Sequence, residues 1–170
     1  LQTAVDETVF RPAQGDDRRR LRERFGIPDG DVVVSAVVRL HPDKRVDRAL
    51  RLVEPGCGRT LLVAGDGPDA DRLGRLAHGL PVTFLGWIDD VSSVHRVSDI
   101  SVQPFSIRGE GSPTSVVEAA LSGCVLVANS ASERGGGIYA GDRAALALTR
   151  CTLAYNEGLA VGGIALATMS

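Results

Sequence analysis

The sequence predicts an α/β fold with a doubly wound parallel sheet, Rossmann-like in its arrangement. Short apolar runs rich in valine alternate with helix-like segments through most of the 170 residues. Helices between consecutive strands imply right-handed crossovers and a parallel sheet that is covered on both faces. An apolar share of 44% supplies a hydrophobic core, so we expect residues 1–170 to form a single domain.

Each predicted strand is a short apolar run bounded by residues that favour turns, such as glycine, proline or aspartate. In chain order, the strands are expected at residues 32–38, 60–64, 82–85, 100–103 and 124–128. The first run is almost continuously apolar, which is typical of a strand that is covered on both faces. It therefore predicts a buried strand.

Helices are predicted before, between and after these strands. The first closes at Phe25, where Gly26-Ile27-Pro28 stops it, and the second spans about 46–53, before Pro55-Gly56. The later helices carry Leu73 to Ala77, Val94 to Val97, residues 113–121 and residues 144–153. From about Val161 the sequence is rich in glycine and alanine, and no element is predicted there.

Composition and charge argue against several classes of protein. The 19 basic and 21 acidic side chains give a net charge of −2, which does not suggest nucleic-acid binding. The three cysteines have neither metal-binding spacing nor an even disulfide set, which fits a reducing, cytoplasmic setting. Asp29-Gly30-Asp31 is interpreted as a turn rather than a metal site. No apolar run is long enough for a membrane span, and no signal peptide is visible.

Two cations follow the first predicted strand. Arg39 and Lys44, the single lysine of the chain, lie in the loop that leaves the carboxyl end of that strand. Ligands of open α/β sheets bind in the crevice beyond the carboxyl ends of the strands. Two cations there suit an anionic ligand such as a phosphate, although the same pair is equally consistent with ordinary surface charges.

A helix start near residue 113 offers a second anion-binding feature. Ser112 is a good N-cap residue, and Pro113 suits the first helical position because it has no N–H to lose. The backbone amides from Thr114 and Ser115 onward lack partners within the helix. Such amides, together with the helix dipole, attract phosphate.

Two glutamates flank this helix start. Glu118 lies one turn beyond Thr114, where a carboxylate could accept hydrogen bonds from ribose hydroxyls if phosphate is bound at the helix start. Glu110 precedes the helix and could reach a second polyol. A functional interpretation of these two glutamates is favoured because Arg39 and Lys44 are also predicted at the carboxyl end of a strand.

The order of these signals resembles the C-terminal, donor-binding domain of retaining glycosyltransferases of the GT-B fold, family 4 (group 1). The matching segments, in family order, are residues 5–12, 39–44, 65–68, 84–86 and 110–123. The resemblance implies transfer of a hexosyl group from a UDP- or GDP-linked sugar to an acceptor, with retention of configuration. It also implies that no cofactor and no divalent metal ion are needed.

The resemblance gives the two cations a catalytic role. Arg39 and Lys44 match the pair that binds the donor pyrophosphate and stabilises the leaving nucleoside diphosphate electrostatically. Arginine supplies a planar fork and lysine a mobile point charge. Next to these cations the sequence departs from the family pattern at two positions, because Val38 and Arg45 occupy positions where the family usually has glycine.

The remaining site residues are also implied by the resemblance. Glu118 matches the family's ribose ligand, beside the helix start at Thr114 and Ser115. Glu110 matches the glutamate near the donor sugar ring, which orients hydroxyls rather than acting as a covalent nucleophile. Two further residues fall where the family's loop meets the base, namely Ile88 and Asp89.

The start of the chain suggests a piece of a longer polypeptide. It begins at Leu1, and its single methionine is Met169. We expect an absent N-terminal domain that carries the acceptor site, with residues 1–12 near the interdomain linker. The isolated fragment is then expected to be inactive. Peripheral membrane association through the missing domain stays open.

Two other functions are compatible with the sequence. Gly65-Asp66-Gly67-Pro68-Asp69-Ala70 satisfies a dinucleotide fingerprint, with Asp89 about twenty residues further on, as in an NAD-dependent oxidoreductase. Against it, Pro68 lacks an N–H for the pyrophosphate. In a purely structural interpretation, this turn packs a helix on a strand and binds no ligand. A non-catalytic domain that binds a nucleotide-sugar is the other alternative.

Several further residues receive structural interpretations. His41 is expected to be a solvated loop residue, and His78 and His95 to lie on helix surfaces or ends. Trp87 either caps the core or contacts another domain. Cys124 is expected to be a small core residue.

Overall fold

The computed structural model describes residues 5–104, 114–127, 130–131, 138–140, 152–154, 157–158 and 164–166. The α-helices in these ranges are α1 Asp17–Phe25, α2 Val46–Ala49, α3 Ala70–Leu76, α4 Val91–Val97 and α5 Thr114–Leu121. Two short 3₁₀ turns flank α2, at Pro42–Lys44 and Leu50–Leu52. The strands are β1 Val32–Val37, β2 Arg59–Ala64, β3 Val82–Gly86, β4 Ile100–Val102, β5 Val125–Val127, β6 Ser130–Ala131, β7 Ile138–Ala140, β8 Thr152–Ala154, β9 Glu157–Gly158 and β10 Ile164–Leu166.

Six strands form one parallel sheet in the order β3-β2-β1-β4-β5-β8. The chain winds outward from β1 through β2 to β3 and then crosses back to β4, on the other side of β1. The predicted doubly wound parallel sheet is therefore confirmed. This reversal of winding opens a crevice at the carboxyl ends of β1 and β4, which is where such sheets bind ligands.

Two apolar clusters cover the faces of the sheet. Side chains of a strand alternate between the faces, so Val34 packs with α2 and α3 while its neighbour Val33 packs with α1 and α4. Both valines are almost completely buried, at 2% and 0% exposed. Burial on both faces explains why β1 is nearly continuously apolar, and it places this strand centrally in the sheet.

The end of α1 follows from a single glycine. Gly26 adopts the left-handed conformation, with φ 64° and ψ 35°, and its backbone N–H bonds to the carbonyl of Glu23. A residue without Cβ reaches this conformation at no steric cost, and it commonly closes a helix. The predicted end of the first helix at Phe25 is thus confirmed.

The predicted helix at 144–153 is wrong at its carboxyl end. Thr152 and Leu153 belong to β8, which pairs in parallel with β5, Thr152 opposite Val125. Residues 144–151 lie outside the described residues. A β-branched threonine suits a strand, and pairing with β5 outweighs the helical propensity of Leu153.

In the described part of the chain, no helix combines the length and the apolar character that crossing a membrane requires.

Candidate functional site

The loop after β1 carries both predicted cations to the carboxyl edge of the sheet. Arg39 is exposed, whereas the next residue, Leu40, is 2% exposed and anchors the loop in the core. Lys44 is half-buried at the end of the 3₁₀ turn Pro42–Lys44, which begins after His41. The buried leucine fixes the backbone while the arginine beside it faces solvent, so the guanidinium is available to a ligand.

The turn after β2 supports this loop through direct backbone contact. A Cβ on Gly65 would lie 2.1 Å from the Val38 carbonyl oxygen, and one on Gly67 would lie 2.3 Å from that of Leu40. The Leu40 N–H donates to the carbonyl of Asp66 at 2.9 Å, and its own carbonyl accepts from the Asp69 N–H at 3.0 Å. The two glycines are therefore needed for close packing of one loop on the other.

This packing argues against the oxidoreductase alternative. The dinucleotide fingerprint belongs to the turn that follows the strand at the reversal point of the sheet, which is β1 here. Gly65 and Gly67 follow β2 instead, and their open sides are filled by the backbone of Val38 and Leu40 rather than left for a pyrophosphate. The structural interpretation of this turn accounts for both glycines.

The opening turn of α5 is tied to the end of β1 by Gln103. This side chain is fully buried just after β4, and its Nε2 donates to the Val37 carbonyl at 3.0 Å and to the Ser115 hydroxyl at 2.9 Å. Thr114 begins the helix beside it. One amide thus links the carboxyl ends of β1 and β4 to the start of α5, on either side of the crevice.

Gln103 was not singled out from the sequence. The available signal was a polar residue at the last position of the predicted strand 100–103. Its Oε1 is buried and has no hydrogen-bond partner among the described residues. An amide so placed is typical of a residue that fixes local geometry.

Glu118 lies in the middle of α5, with its side chain 20% exposed. Its Oε2 lies 3.6 Å from Nε2 of His95 on α4, a separation slightly beyond a hydrogen bond. His95 was predicted on a helix surface or at a helix end. It lies in the last turn of α4, but the surface position is wrong because the residue is completely buried. It faces the packed boundary between α4 and α5. His78, by contrast, is exposed, as predicted.

Ile88 and Asp89 follow β3 at the same edge of the sheet, separated from β1 by β2. Ile88 is half-buried and packs against the cluster under α1 and α4, whereas Asp89 is exposed. Asp90 caps α4 by accepting from the Ser93 N–H at 3.1 Å. Trp87 is 80% exposed, so the interpretation that it caps the core is wrong.

Glu110 lies outside the described residues, as do Ser112 and Pro113. Their predicted roles at the donor sugar and at the helix start stay predictions. Among the described residues, no group of three or more histidine, cysteine, aspartate or glutamate side chains is arranged to hold a metal ion. The expectation of a metal-free site is not tested by that observation.

Two ion pairs brace the loops around the site. Arg45 occupies the position where the family that the sequence resembles usually has glycine. It takes the left-handed conformation at φ 50° and donates two hydrogen bonds of 3.1 Å to Asp47. Arg72 donates two bonds of 2.7 Å to the buried carboxylate of Asp69. The Arg72 guanidinium holds the pKa of Asp69 below its usual value. The hydrogen bonds from Arg45 likewise lower the pKa of Asp47.

The arrangement suits a ligand that carries a diphosphate and polar hydroxyls. The loop that carries Arg39 and Lys44 and the start of α5 flank one crevice. The loop supplies cationic groups, and the start of the helix supplies backbone N–H donors. Glu118 supplies acceptors one turn further along the helix. A parallel α/β domain with these groups at its reversal point has the features of a nucleotide-binding protein.

The family match agrees with this class. Residues 31–154, most of the chain, match the family described as Glycosyl transferases group 1. The chain therefore belongs to the group 1 glycosyltransferases.

The relatives include an enzyme that depends on GDP-mannose. The GDP-mannose-dependent alpha-(1-6)-phosphatidylinositol monomannoside mannosyltransferase of Mycobacterium tuberculosis is 30% identical over 148 residues, 76% of this chain and 37% of the relative. The D-inositol 3-phosphate glycosyltransferase of Salinispora arenicola is 31% identical over 156 residues, 74% of this chain and 35% of the relative. The chain thus spans little more than a third of either relative.

Solved structures share the fold. HepE of Anabaena in complex with UDP superposes with a TM-score of 0.61 and 25% identity, over 72% of this chain and 36% of HepE. The C-terminal domain of the group 1 glycosyltransferase LpcC from Francisella tularensis gives a TM-score of 0.57 and 25% identity. That match covers 75% of this chain and 70% of the LpcC domain.

Proposed function

We propose that this chain is the donor-binding half of a retaining glycosyltransferase of GT-B family 4, which transfers a hexosyl group from a nucleoside-diphosphate sugar to an acceptor. The observation that carries the proposal is the link made by Gln103 between the end of β1 and the start of α5. That link holds the carboxyl end of β1, which leads into the loop of Arg39 and Lys44, next to the start of the helix that bears Glu118.

In this proposal the cations act on the leaving group. Breaking the glycosidic C–O bond leaves negative charge on the nucleoside diphosphate, and Arg39 and Lys44 stabilise that charge as it develops. The amides of Thr114 and Ser115 add donors at the helix start. No divalent metal ion is required, because the side-chain cations and helix amides already supply positive potential.

The other residues recognise the rest of the donor. Glu118 accepts hydrogen bonds from the ribose hydroxyls, and Glu110 orients the hydroxyls of the donor sugar. Ile88 and Asp89, after β3, contact the base. A GDP-mannose-dependent relative and a UDP complex of a structural neighbour both support a nucleoside diphosphate as the ligand.

The acceptor belongs to a second domain in this proposal. LpcC provides support, since the part of it that resembles this chain is named as a C-terminal domain. We propose an N-terminal partner domain that carries the acceptor site, without which the chain transfers no sugar.

Isothermal titration calorimetry tests the proposal with GDP, UDP and NAD as ligands. The buffer contains EDTA, because the proposed site needs no metal ion. We expect the 170-residue chain to bind GDP or UDP and to bind NAD much more weakly. Binding of NAD without binding of either nucleoside diphosphate would refute the proposal.

A further inference from the structure

His95 is a buried polar side chain that the proposed reaction does not use. Its imidazole is 0% exposed, and neither Nδ1 nor Nε2 has a hydrogen-bond partner among the described residues. Buried polar atoms of this kind are rare, because desolvation without a partner costs free energy. The position of His95 therefore needs a physical reason.

The nearest candidate for a partner is Glu118. Nε2 of His95 lies 3.6 Å from Oε2 of Glu118, and a hydrogen bond forms at about 2.7–3.2 Å. Only a small rotation of the glutamate side chain is needed to close that gap. The carboxylate has two oxygens, so a bond from His95 to one of them leaves the other for a ligand.

His95 is held both at its ring and at its backbone. The ring of Phe10 meets it edge to face, with ring centroids 6.1 Å apart. The backbone carbonyl of His95 accepts from Sγ of the buried Cys124 at 3.2 Å. Because α4 packs against α5, the histidine has little freedom to move away from Glu118. Its N–H is thus a fixed donor beside a partly exposed carboxylate.

We propose that His95 is a positioning residue for ribose recognition. Its Nε2–H donates to Oε2 of Glu118 and fixes the carboxylate in the rotamer that accepts bonds from the ribose hydroxyls. This inference rests on the proposed function, because it assigns the ribose to Glu118. It adds a residue on a different helix, whose effect on affinity depends on the hydroxyls of the ligand.

Paired ligands separate positioning from a merely structural role. Affinities of the 170-residue chain are measured for GDP and UDP and for their 2′,3′-dideoxy counterparts. We expect His95→Phe to weaken binding of the ribose-containing nucleotide about three- to tenfold and to leave the dideoxy affinity unchanged. His95→Gln, which keeps an N–H donor, is expected to retain most of the affinity. His78→Phe, in the exposed turn after α3, is the matched control and should change neither affinity.

The outcomes separate this inference from the proposed function. Equal losses for both ligands in His95→Phe, or no loss for either, would overturn the positioning role while leaving nucleotide binding intact. Absence of any nucleoside-diphosphate binding in the unsubstituted chain would refute the proposed function, and the inference with it. Equal affinity of the unsubstituted chain for both ligands would remove the ribose role of Glu118 and therefore also the inference.

A second measurement needs no substituted protein, in case His95→Phe does not fold. The chain has three histidines, so ¹⁵N spectra of labelled imidazoles can resolve His95. Addition of GDP or UDP is expected to shift the Nε2 signal of His95, and the dideoxy nucleotide is expected to shift it much less. Identical responses to the two ligands would contradict the positioning role.

Discussion

Among single residues, Arg39 combines an exposed guanidinium with a backbone that is held on both sides. Val38 donates its N–H to the Ala64 carbonyl at 2.9 Å, and Leu40 is bonded to the turn after β2. We expect Arg39→Ala to weaken binding of GDP or UDP roughly ten- to hundredfold, the effect of losing a hydrogen bond to a charged group. Calorimetry measures the affinity.

A ligand without phosphate makes this test specific. Guanosine or uridine should bind the Arg39→Ala variant and the unsubstituted chain equally, because the guanidinium contacts only phosphate in the proposed site. Arg48→Ala removes an exposed guanidinium from α2 and serves as the matched control. Equal affinity of Arg39→Ala and Arg48→Ala for the diphosphate would refute the role of Arg39.

The residues that escaped sequence reasoning share one property. Gln103 and His95 are polar but completely buried, and single-sequence patterns place polar residues at the surface. Their burial depends on which helix packs beside which strand, a fact of tertiary structure. Trp87 shows the opposite case, an aromatic residue that is 80% exposed.

At the scale of elements, the turn after β2 determines where the Arg39 loop lies. We expect Gly65→Ala to lower the free energy of unfolding by about 1–3 kcal/mol, because the new Cβ overlaps the Val38 carbonyl. Displacement of that loop should also weaken binding of GDP or UDP. Chemical denaturation and calorimetry measure the two effects.

Gly74, in α3, provides the matched substitution. A Cβ there meets no atom within 4 Å, so Gly74→Ala is expected to raise the free energy of unfolding by about 0.5–1 kcal/mol through helix propensity. Nucleotide affinity should not change. If Gly65→Ala left both stability and affinity unchanged, the turn after β2 would not be supporting the Arg39 loop.

Most elements could be predicted because local signals agreed with the tertiary structure. Glycine stops α1, and the apolar runs of β1 to β4 appear close to their predicted limits. The carboxyl end of the helix predicted at 144–153 is the exception, because Thr152 and Leu153 pair with β5. Non-local pairing of this kind leaves little trace in a short stretch of sequence.

At the scale of the whole molecule, alternation of strands and helices predicts the parallel sheet but does not give the order of its strands. The order β3-β2-β1-β4-β5-β8 brings the loops of Arg39 and of α5 to one crevice although about seventy residues separate them. That convergence was predicted because both segments were expected at the carboxyl ends of strands, where open α/β sheets bind ligands. Glu110 lies outside the described residues, so its place in the site stays a prediction.

The stability of the whole chain should depend on its aspartates in acid. Bonds from Arg72 lower the pKa of Asp69 from its ordinary value of 3.8, and bonds from Arg45 do the same for Asp47. A carboxylate whose pKa is lower in the folded state stabilises that state above the unfolded pKa, and the contribution is lost as pH falls through the folded pKa.

We therefore expect the free energy of unfolding to fall as the pH drops below about 4, through the unfolded pKa of 3.8 and on through the lower pKa values of the folded state. Asp69→Asn should be less stable at neutral pH and should show a shallower decrease over that range. Denaturant unfolding at several pH values measures both. An identical slope in Asp69→Asn and the unsubstituted chain would show that this carboxylate makes no contribution to the acid dependence.

A crystal structure of the chain with bound GDP or UDP tests most directly whether the two cations and the helix start form one diphosphate site. We expect the phosphate oxygens to lie within about 3 Å of the Arg39 guanidinium, of Nζ of Lys44 and of a backbone N–H in the first turn of α5. A diphosphate bound against the turn at Gly65 to Pro68, or away from the crevice between β1 and β4, would contradict that expectation.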